Sequence, residues 1–350
     1  MQKPSPSHRL LILATLLAAL PAAAAPGVTD LGTLKNDNSG SSQAFGFNSD
    51  GSIVVGYADN DNGRNRATVW SGSNWSTKTD LGTLKSDNSG YSTARGLSDD
   101  GSVIFGEAAS DNGQSRATVW SGSGWGTKTD LGTLRTGNGG FSALTKATGD
   151  GSMVVGSSDW DGGLGFHATV WSGSNWGTKT DLGTLRTGNL GVSVASNISN
   201  DGSVVVGQSD WDGGPDFRAT VWSGSGWATK TDLGTLKADN SGESSVQAAS
   251  GDGSVIGGTA DNDNGRTRAT IWSGSNWATK TDLGTLKTDN SGNSEVSGIS
   301  ADGHFAVGQA VNDNYERRAV VWNLRSFNIR AADTANTRAS LSLLSADTAA

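Results

Sequence analysis

Cysteine is absent from the 350 residues of this chain, and histidine occurs only three times. Without cysteine the fold relies on packing and hydrogen bonds, because neither disulfides nor thiolate metal sites are available. The chain also contains no phosphate-binding glycine loop, no serine nucleophile elbow and no histidine cluster at metal-ligand spacing. These absences argue against the common classes of enzyme.

Charge is scarce as well. Charged residues make up 17% of the chain, and the acids outnumber the bases 34 to 26, for a net charge of −8. Nucleic acids and anionic membranes are recognised through positive potential. The composition therefore argues against both as partners.

One long apolar run is present, at residues 10–20, and nothing after it is apolar for long enough to span a membrane. Lys3 and Arg9 precede this run and a string of alanines follows it, a pattern typical of a secretory signal peptide. The run is too short to cross a bilayer as a helix. We therefore expect residues 1–25 to be a signal peptide, and the protein to be secreted or held at the outer membrane or cell surface of a bacterium.

Glycine, with 51 residues, and tryptophan, with 13, are abundant and belong to an internal repeat. The phrase Thr-Asp-Leu-Gly-Thr-Leu recurs every 50 or 51 residues. Its six copies begin at Thr29, Thr79, Thr129, Thr180, Thr231 and Thr281. A period of this length indicates one supersecondary unit repeated along the chain.

The first unit contains four strand patterns. Alternating small and apolar residues at 41–48 end at Asp50-Gly51, which suits a tight turn, and the β-branched segment 53–56 follows. An Asp/Asn-rich loop leads to a third strand at 66–70, and the fourth runs into the next copy of the phrase. This loop and the Asp/Asn-rich link to the next unit are expected on one face.

Two tryptophans flank the Ser-Gly-Ser-Asn turn of the first unit. In a four-residue hairpin loop the flanking residues face each other, so Trp70 and Trp75 are predicted to form a cross-strand aromatic pair. The equivalent pairs are Trp120/Trp125, Trp171/Trp176, Trp222/Trp227 and Trp272/Trp277. We interpret these pairs as hairpin clasps in preference to a sugar-stacking platform, because their spacing is defined by the turn.

Four short antiparallel strands in each unit are typical of a β-propeller blade. The phrase at Thr29 lacks a preceding strand, while the last unit ends at Trp322 without a fourth strand. We therefore predict an all-β, six-bladed β-propeller over residues 26–323, with the N-terminal strand completing the last blade and closing the ring. Closure removes the exposed strand edges of an open array.

The repeated text Asp-Leu-Gly-Thr-Leu, Asp-Gly-Ser-Val-Val-Val-Gly and Arg-Ala-Thr-Val-Trp resembles the bacterial extracellular repeat family called HAF. The resemblance covers about Thr29 to Trp322. At the tripeptide that names the family, only His167-Ala168 is kept, and Thr169 replaces the phenylalanine. The resemblance implies an exported or surface protein, such as the passenger of an autotransporter, and it supplies no catalytic residues.

Paired aspartates occur in the loop between the second and third strands. Asp59/Asp61 and Asp261/Asp263 resemble the start of an oxygen-rich calcium loop, although the glutamate that completes an EF-hand is missing. The alternative is that these side chains cap turns by bonding to nearby backbone groups. We consider both a weak calcium site, completed by the adjoining link segment, and turn capping.

The third and fourth units carry aromatic residues in this same loop. Trp160 and Trp211 replace asparagine, and Phe166 and Phe217 lie beside them. Exposed loop aromatics are typical of binding surfaces, so these four residues are predicted to form an apolar patch for a glycan or protein partner. The alternative is that the tryptophans pack against their own glycines.

No distinctive catalytic constellation is found, because the acidic pairs repeat in nearly every unit. The sequence favours a non-enzymatic adhesion or interaction module that binds a glycan or an extracellular protein. A calcium-dependent, lectin-like propeller is the alternative, and a glycan hydrolase using two carboxylates is a further one. Residues 324–350 are predicted to be a C-terminal tail with helical propensity; by the family resemblance, the tail is the linker of an autotransporter.

Overall fold

A computed structural model describes residues 27–163 and 165–329 of the chain. The predicted signal peptide at 1–25 lies outside the described residues, as does the predicted tail beyond residue 329. Of that tail only the short 3-10 turn Leu324–Phe327 is described. None of the helices in the described part is long and apolar enough to span a membrane.

The described residues form six antiparallel sheets, one for each repeat unit. The first strands are Ser42–Phe47 (β1), Ser92–Leu97 (β5), Ser142–Ala147 (β9), Ser193–Ile198 (β13), Ser244–Ala249 (β17) and Ser294–Ile299 (β21). The second strands are Val54–Asp59 (β2), Ile104–Ala109 (β6), Val154–Asp159 (β10), Val205–Trp211 (β14), Ile256–Asp261 (β18) and Phe305–Val311 (β22).

The third and fourth strands complete these sheets. The third strands are Asn65–Ser71 (β3), Ser115–Ser121 (β7), Phe166–Ser172 (β11), Gly214–Ser223 (β15), Thr267–Ser273 (β19) and Arg317–Asn323 (β23). The fourth strands are Thr77–Asp80 (β4), Thr127–Asp130 (β8), Thr178–Asp181 (β12), Thr229–Asp232 (β16) and Thr279–Asp282 (β20). Each sheet follows chain order, so the predicted six-bladed, all-β propeller fold is confirmed.

One 3-10 turn lies between the third and fourth strands of each of the first five blades, and two more lie in the links between blades. The turns between strands are Ser73–Trp75, Ser123–Trp125, Ser174–Trp176, Ser225–Trp227 and Ser275–Trp277. The turns in the links are Thr136–Asn138 and Thr187–Asn189.

The glycine that ends each Val-Val-Gly motif permits close approach of the first and second strands. A Cβ added at Gly56 would lie 1.9 Å from the backbone oxygen of Gln43. The register of β1 against β2 shifts between Ala44 and Gly46, opposite this glycine. Only glycine fits at such a contact, which is the physical reason for its recurrence in every unit.

The core consists of clusters between consecutive blades. Between the first two blades, Val55 and Val69 pack against Ala94, Ile104 and Trp120, and all five side chains are fully buried. Corresponding clusters join each later pair of neighbouring blades. Burial of one such aliphatic side chain contributes about 1.5–3 kcal/mol, so each blade depends on its neighbours for stability.

The predicted tryptophan pairs are wrong. Across the hairpin, Trp70 pairs with Lys78 in the register of β3 and β4, while Trp75 lies inside the turn with a φ of 53°. Ser71 pairs with Thr77, so the loop has five residues instead of four, and its 3-10 turn over Ser73–Trp75 takes Trp75 out of the strand pairing. Trp70 is instead buried, and the Trp75 indole Nε1 donates a 2.9 Å hydrogen bond to the backbone oxygen of Gly51.

The predicted closure by the N-terminal strand is also wrong. The sixth sheet has three strands, β21-β22-β23, and no strand is found among described residues 27–41. Residues 33–38 are held on the first blade instead, where Lys78 Nζ donates to the Thr33 backbone oxygen at 2.8 Å and to Asn38 Oδ1 at 2.7 Å. Leu34 of the same segment donates its N–H to the backbone oxygen of Asp59.

Candidate functional site

The link that enters each blade, called here the crossover, contacts the loop between the second and third strands of that blade. In the first blade Asp61 accepts hydrogen bonds from Asn36 through its backbone N–H, at 3.0 Å, and its side-chain amide, at 2.6 Å. The equivalent contacts are Asp111 with Ser86, Asp161 with Thr136, Asp212 with Thr187, Asp263 with Ala238 and Asp313 with Thr288. The two Asp/Asn-rich segments therefore share one face, as predicted, and we call it the crossover face.

The four candidate calcium ligands lie on the crossover face as hydrogen-bond acceptors. Asp59 accepts from the Ser41 N–H at 2.9 Å, and Asp261 accepts from the Glu243 N–H at 3.1 Å. Asp61 and Asp263 accept from crossover N–H groups in the same way. These bonds join two segments that lie 18 to 25 residues apart in sequence, so they differ from the local turn capping considered as the alternative. Among residues 27–163 and 165–329, no group of three or more His, Cys, Asp or Glu side chains is arranged to hold a metal ion. Calcium binding stays a prediction.

In four of the first five blades an arginine from the third strand donates to the next crossover, and in the third blade His167 takes its place without such a bond among the described residues. Arg116 is buried, forms a 3.3 Å ion pair with Asp130, and donates to the backbone oxygens of Asn138, at 2.6 Å, and Gly140, at 2.9 Å. The corresponding ion pairs are Arg66–Asp80, His167–Asp181, Arg218–Asp232 and Arg268–Asp282. Many of the charged side chains between blades are thus bonded to other groups of the protein and stabilise the packing of neighbouring blades.

The predicted aromatic residues pack onto these basic side chains. Trp160 stacks on His167 with 3.9 Å between the ring centroids, and the Arg218 guanidinium lies 4.1 Å from the Trp211 ring centroid. A Cβ added at Gly162 would lie 1.8 Å from the Trp160 ring, so the indole also covers its own loop glycines. This is the alternative in which the tryptophans pack against their own glycines.

The two phenylalanines of the predicted patch are also partly buried. Phe166 packs against Phe141 of the preceding crossover, with 5.2 Å between ring centroids, and Phe217 is half-buried in β15, next to the point where the register against β14 shifts. All four predicted residues are half-buried. Partner binding by Trp160, Trp211, Phe166 and Phe217 stays a prediction.

The boundary between the first and second blades differs because asparagine replaces tryptophan in its loop. Asn60 occupies the repeat position of Trp160, and its Oδ1 accepts hydrogen bonds from the N–H groups of Asn62 and Arg64, both at 3.1 Å. The space that an indole fills in the third blade is open here. It forms a cavity of about 470 Å³ whose lining includes Asn62, Arg64, Arg66, Lys85, Asp87 and Tyr91, and we call it the Arg66 groove.

The Arg66 groove contains an unused hydrogen-bond donor. Arg66 is 3% exposed; its Nε pairs with Asp80 and its Nη1 donates to the Asn88 backbone oxygen at 2.6 Å. Its Nη2 is buried and has no hydrogen-bond partner among the described residues. A buried unpaired donor is costly, and a ligand acceptor in the groove offers it a partner.

The rest of the groove supplies charge and an aromatic surface. Arg64 is exposed, Lys85 is half-buried, and Tyr91 is 43% exposed. Hydrogen bonds from the Ser89 backbone N–H and hydroxyl hold the pKa of Asp87 below its usual range, so its carboxylate is charged at neutral pH. Because Arg66 is already paired with Asp80, the remaining charges of the lining are Arg64 and Lys85 against Asp87, an excess of one positive charge on a protein of negative net charge.

The sequence analysis missed this groove. Its residues come from two blades, and their proximity is not visible in one repeat unit. The available signal is a comparison across units: Asn60, Ser110, Trp160, Trp211, Asn262 and Asn312 share one repeat position. Where tryptophan is present its ring stacks on the basic side chain, and at Asn60 a cavity lies beside Arg66 instead.

Comparison with known proteins yields distant fold similarities. No protein-family model and no curated protein sequence matches the chain. Among solved structures, the chain is similar to TolB from Acinetobacter baumannii (14% identity, TM-score 0.43, 69% of this chain and 53% of that one). It is also similar to a putative TolB from Agrobacterium tumefaciens, with 13% identity and a TM-score of 0.45 over 81% of this chain and 90% of that one. A third similar structure is the β-propeller domain of the Trilobed protease from Pyrococcus furiosus, with 10% identity and a TM-score of 0.49 over 81% of each chain. The chain thus spans about half the length of the Acinetobacter protein.

Proposed function

We propose that this protein is an exported, non-enzymatic interaction module that binds a glycan or an extracellular protein through its crossover face. The observation that carries the proposal is the Arg66 groove: Arg66, whose buried Nη2 has no hydrogen-bond partner among the described residues, lines an open cavity beside an exposed tyrosine. The resemblance to extracellular HAF repeats supports an adhesive role at the cell surface, as in an autotransporter passenger.

The composition of the groove favours an acidic glycan as the ligand. Guanidinium groups bind carboxylates through short, charge-assisted hydrogen bonds. Tyr91 offers an aromatic surface with a polar end, which suits the mixed polar and apolar surface of a sugar ring. A sugar carboxylate placed at Arg66 would satisfy the unpaired Nη2, and Arg64 and Lys85 would add attraction.

A binding screen of the full chain against acidic and neutral glycans and extracellular-matrix proteins tests the proposal. We expect binding to acidic glycans, and we expect Tyr91→Ser to weaken it by about tenfold, a loss of about 1.4 kcal/mol. Tyr315→Ser is the matched control, because Tyr315 is an exposed tyrosine on the same face outside the Arg66 groove.

The outcomes separate the alternatives. If the Tyr91 and Tyr315 variants bind equally well, the ligand does not bind in the Arg66 groove. If no ligand binds to the protein, the proposed function is contradicted. Loss of binding on chelation would favour the calcium-dependent lectin. Cleavage of a bound glycan would favour the hydrolase.

A further inference from the structure

The sixth blade ends in an exposed apolar sheet face. Val307 and Val321 pair across β22 and β23, and their exposed fractions are 47% and 68%. Their repeat equivalents in the first blade, Val55 and Val69, also pair with each other but are fully buried against the second blade. Phe305, beside Val307 in sequence, is 44% exposed as well. This face therefore has the residues of a blade interface, and no blade packs on it among residues 27–163 and 165–329.

The first blade carries the opposite half of the same interface. Ala44 is exposed and Phe47 is 73% exposed. Their repeat equivalents in the second blade, Ala94 and Leu97, pack in the cluster against the first blade. The two ends of the array thus expose the two complementary halves of an interface that the chain itself builds between its consecutive blades.

Backbone hydrogen bonds also join consecutive blades. The Ser49 N–H donates to the Asp99 oxygen at 3.0 Å, and the Asp99 N–H donates to the Gly149 oxygen at 2.7 Å. Farther along the chain, Asn200 donates to Gly251, and Gly251 to Ala301. Among the described residues four of the five steps inside the chain thus carry such a bond, the step from Gly149 to Asn200 does not, and none joins Ala301 to Ser49.

We propose that a second copy of this chain covers the exposed face of the sixth blade with its own first blade, in a head-to-tail interface. The five steps inside the chain each bury a core cluster, while the end faces of the first and sixth blades stay exposed. Bringing these two faces together within one chain would require packed steps to shift, which close-packed interiors resist. A second copy can bind with the same packing between blades that the chain uses internally. Such a head-to-tail, heterologous contact either extends an array of copies or closes them into a ring.

The buried contact is apolar while each copy is acidic, with a net charge of −8. Salt screens the repulsion between copies and leaves the apolar contact intact. Association is therefore expected to strengthen with ionic strength, unlike glycan binding in the Arg66 groove, which salt should weaken.

The test measures the mass of the full chain by sedimentation and light scattering over a range of concentrations. We expect species of two or more chains in the unsubstituted protein. Val321→Asp on the sixth blade and Phe47→Asp on the first blade are each expected to leave a single chain. Leu190→Asp is the matched control, because Leu190 is an exposed leucine in a crossover away from both end faces.

Mixing the two variants gives the sharpest result. Each variant keeps one intact end face, so a mixture of Val321→Asp and Phe47→Asp is expected to form a two-chain complex that neither forms alone. A single-chain unsubstituted protein would overturn the proposal, and if Val321→Asp then also lowered its melting temperature, the chain's own first blade would be the occupant. Association that survives both substitutions would overturn it as well.

Discussion

The indole of Trp160 lies flat on the imidazole of His167, with the ring planes inclined by 18°. His167 occupies the position that arginine holds in the other blades, and its Nδ1 lies 2.8 Å from a carboxylate oxygen of Asp181. Unlike the arginines, the histidine is too short to reach the next crossover, and its Nε2 is buried without a partner among the described residues. At this boundary His167 therefore contacts Asp181 and the Trp160 ring in place of the crossover oxygens.

Replacing Trp160 by asparagine, the residue of the first blade, is expected to destabilise the protein by about 1–3 kcal/mol, because a half-buried indole and its stacking contact are lost. The free energy of unfolding in denaturant measures the change. Asn60→Ser, at the same repeat position but with no indole stacked on the basic side chain, serves as the control and is expected to cost less.

Replacing His167 by arginine is expected to stabilise the protein by about 1 kcal/mol. The longer side chain reaches the backbone oxygens of Asn189 and Gly191, as Arg116 reaches Asn138 and Gly140 one blade earlier. The fourth blade has the same tryptophan loop over Arg218, so the change fits sterically. Thermal unfolding tests this, and a lower melting temperature for His167→Arg would contradict the proposed role of the basic position.

Asn138 connects two blades and adopts a left-handed backbone conformation. Its Oδ1 accepts from the Thr133 N–H at 2.6 Å and from Lys179 Nζ at 2.8 Å, and its φ is 59°. We expect Asn138→Ala to cost about 1–3 kcal/mol, because both bonds are lost and alanine is strained at this φ. Asn138→Asp keeps the acceptor and should cost little. Equal destabilisation by the two variants, measured in denaturant, would show that the side-chain oxygen is not the stabilising group.

Stability is expected to fall in acid as pH drops from about 4 towards 2. Hydrogen bonds from the Ser98 hydroxyl and from the Ser102 backbone and side chain lower the pKa of Asp100 from 3.8 to about 2. The pKa is likewise lowered in the aspartates of the equivalent turns, Asp50, Asp150, Asp201, Asp252 and Asp302. Since the folded-state pKa is depressed, this stabilisation is present above the unfolded-state pKa and is lost as pH falls through the folded-state value.

Thermal unfolding across this pH range measures the effect. Asp100→Asn keeps an oxygen acceptor for Ser102 but removes the titrating group, so its melting temperature should depend less on pH in this window. A pH dependence equal to that of the unsubstituted protein would contradict the assignment.

Local sequence patterns were sufficient to predict the four-stranded blade. The Val-Val-Gly strands, the Asp-Gly turns and the 50-residue period predict four-stranded units, because alternation, turn residues and repeat length are properties of contiguous residues. Local patterns did not predict the positions of Trp70 and Trp75. Their spacing predicted a cross-strand pair, but Trp75 lies in the 3-10 turn and Trp70 is buried in the core.

Contacts between blades determined the features that the sequence did not predict. The Arg66 groove, the stacking of Trp160 on His167 and the exposed faces at Phe47 and Val321 each depend on how one blade lies against the next. The six copies of Thr-Asp-Leu-Gly-Thr-Leu are identical in sequence, yet the first lies outside any strand while the other five each end a fourth strand and begin a crossover. Identical residues differ in this way because a strand forms only where a neighbouring strand is placed to pair with it, and that placement is a property of the tertiary structure.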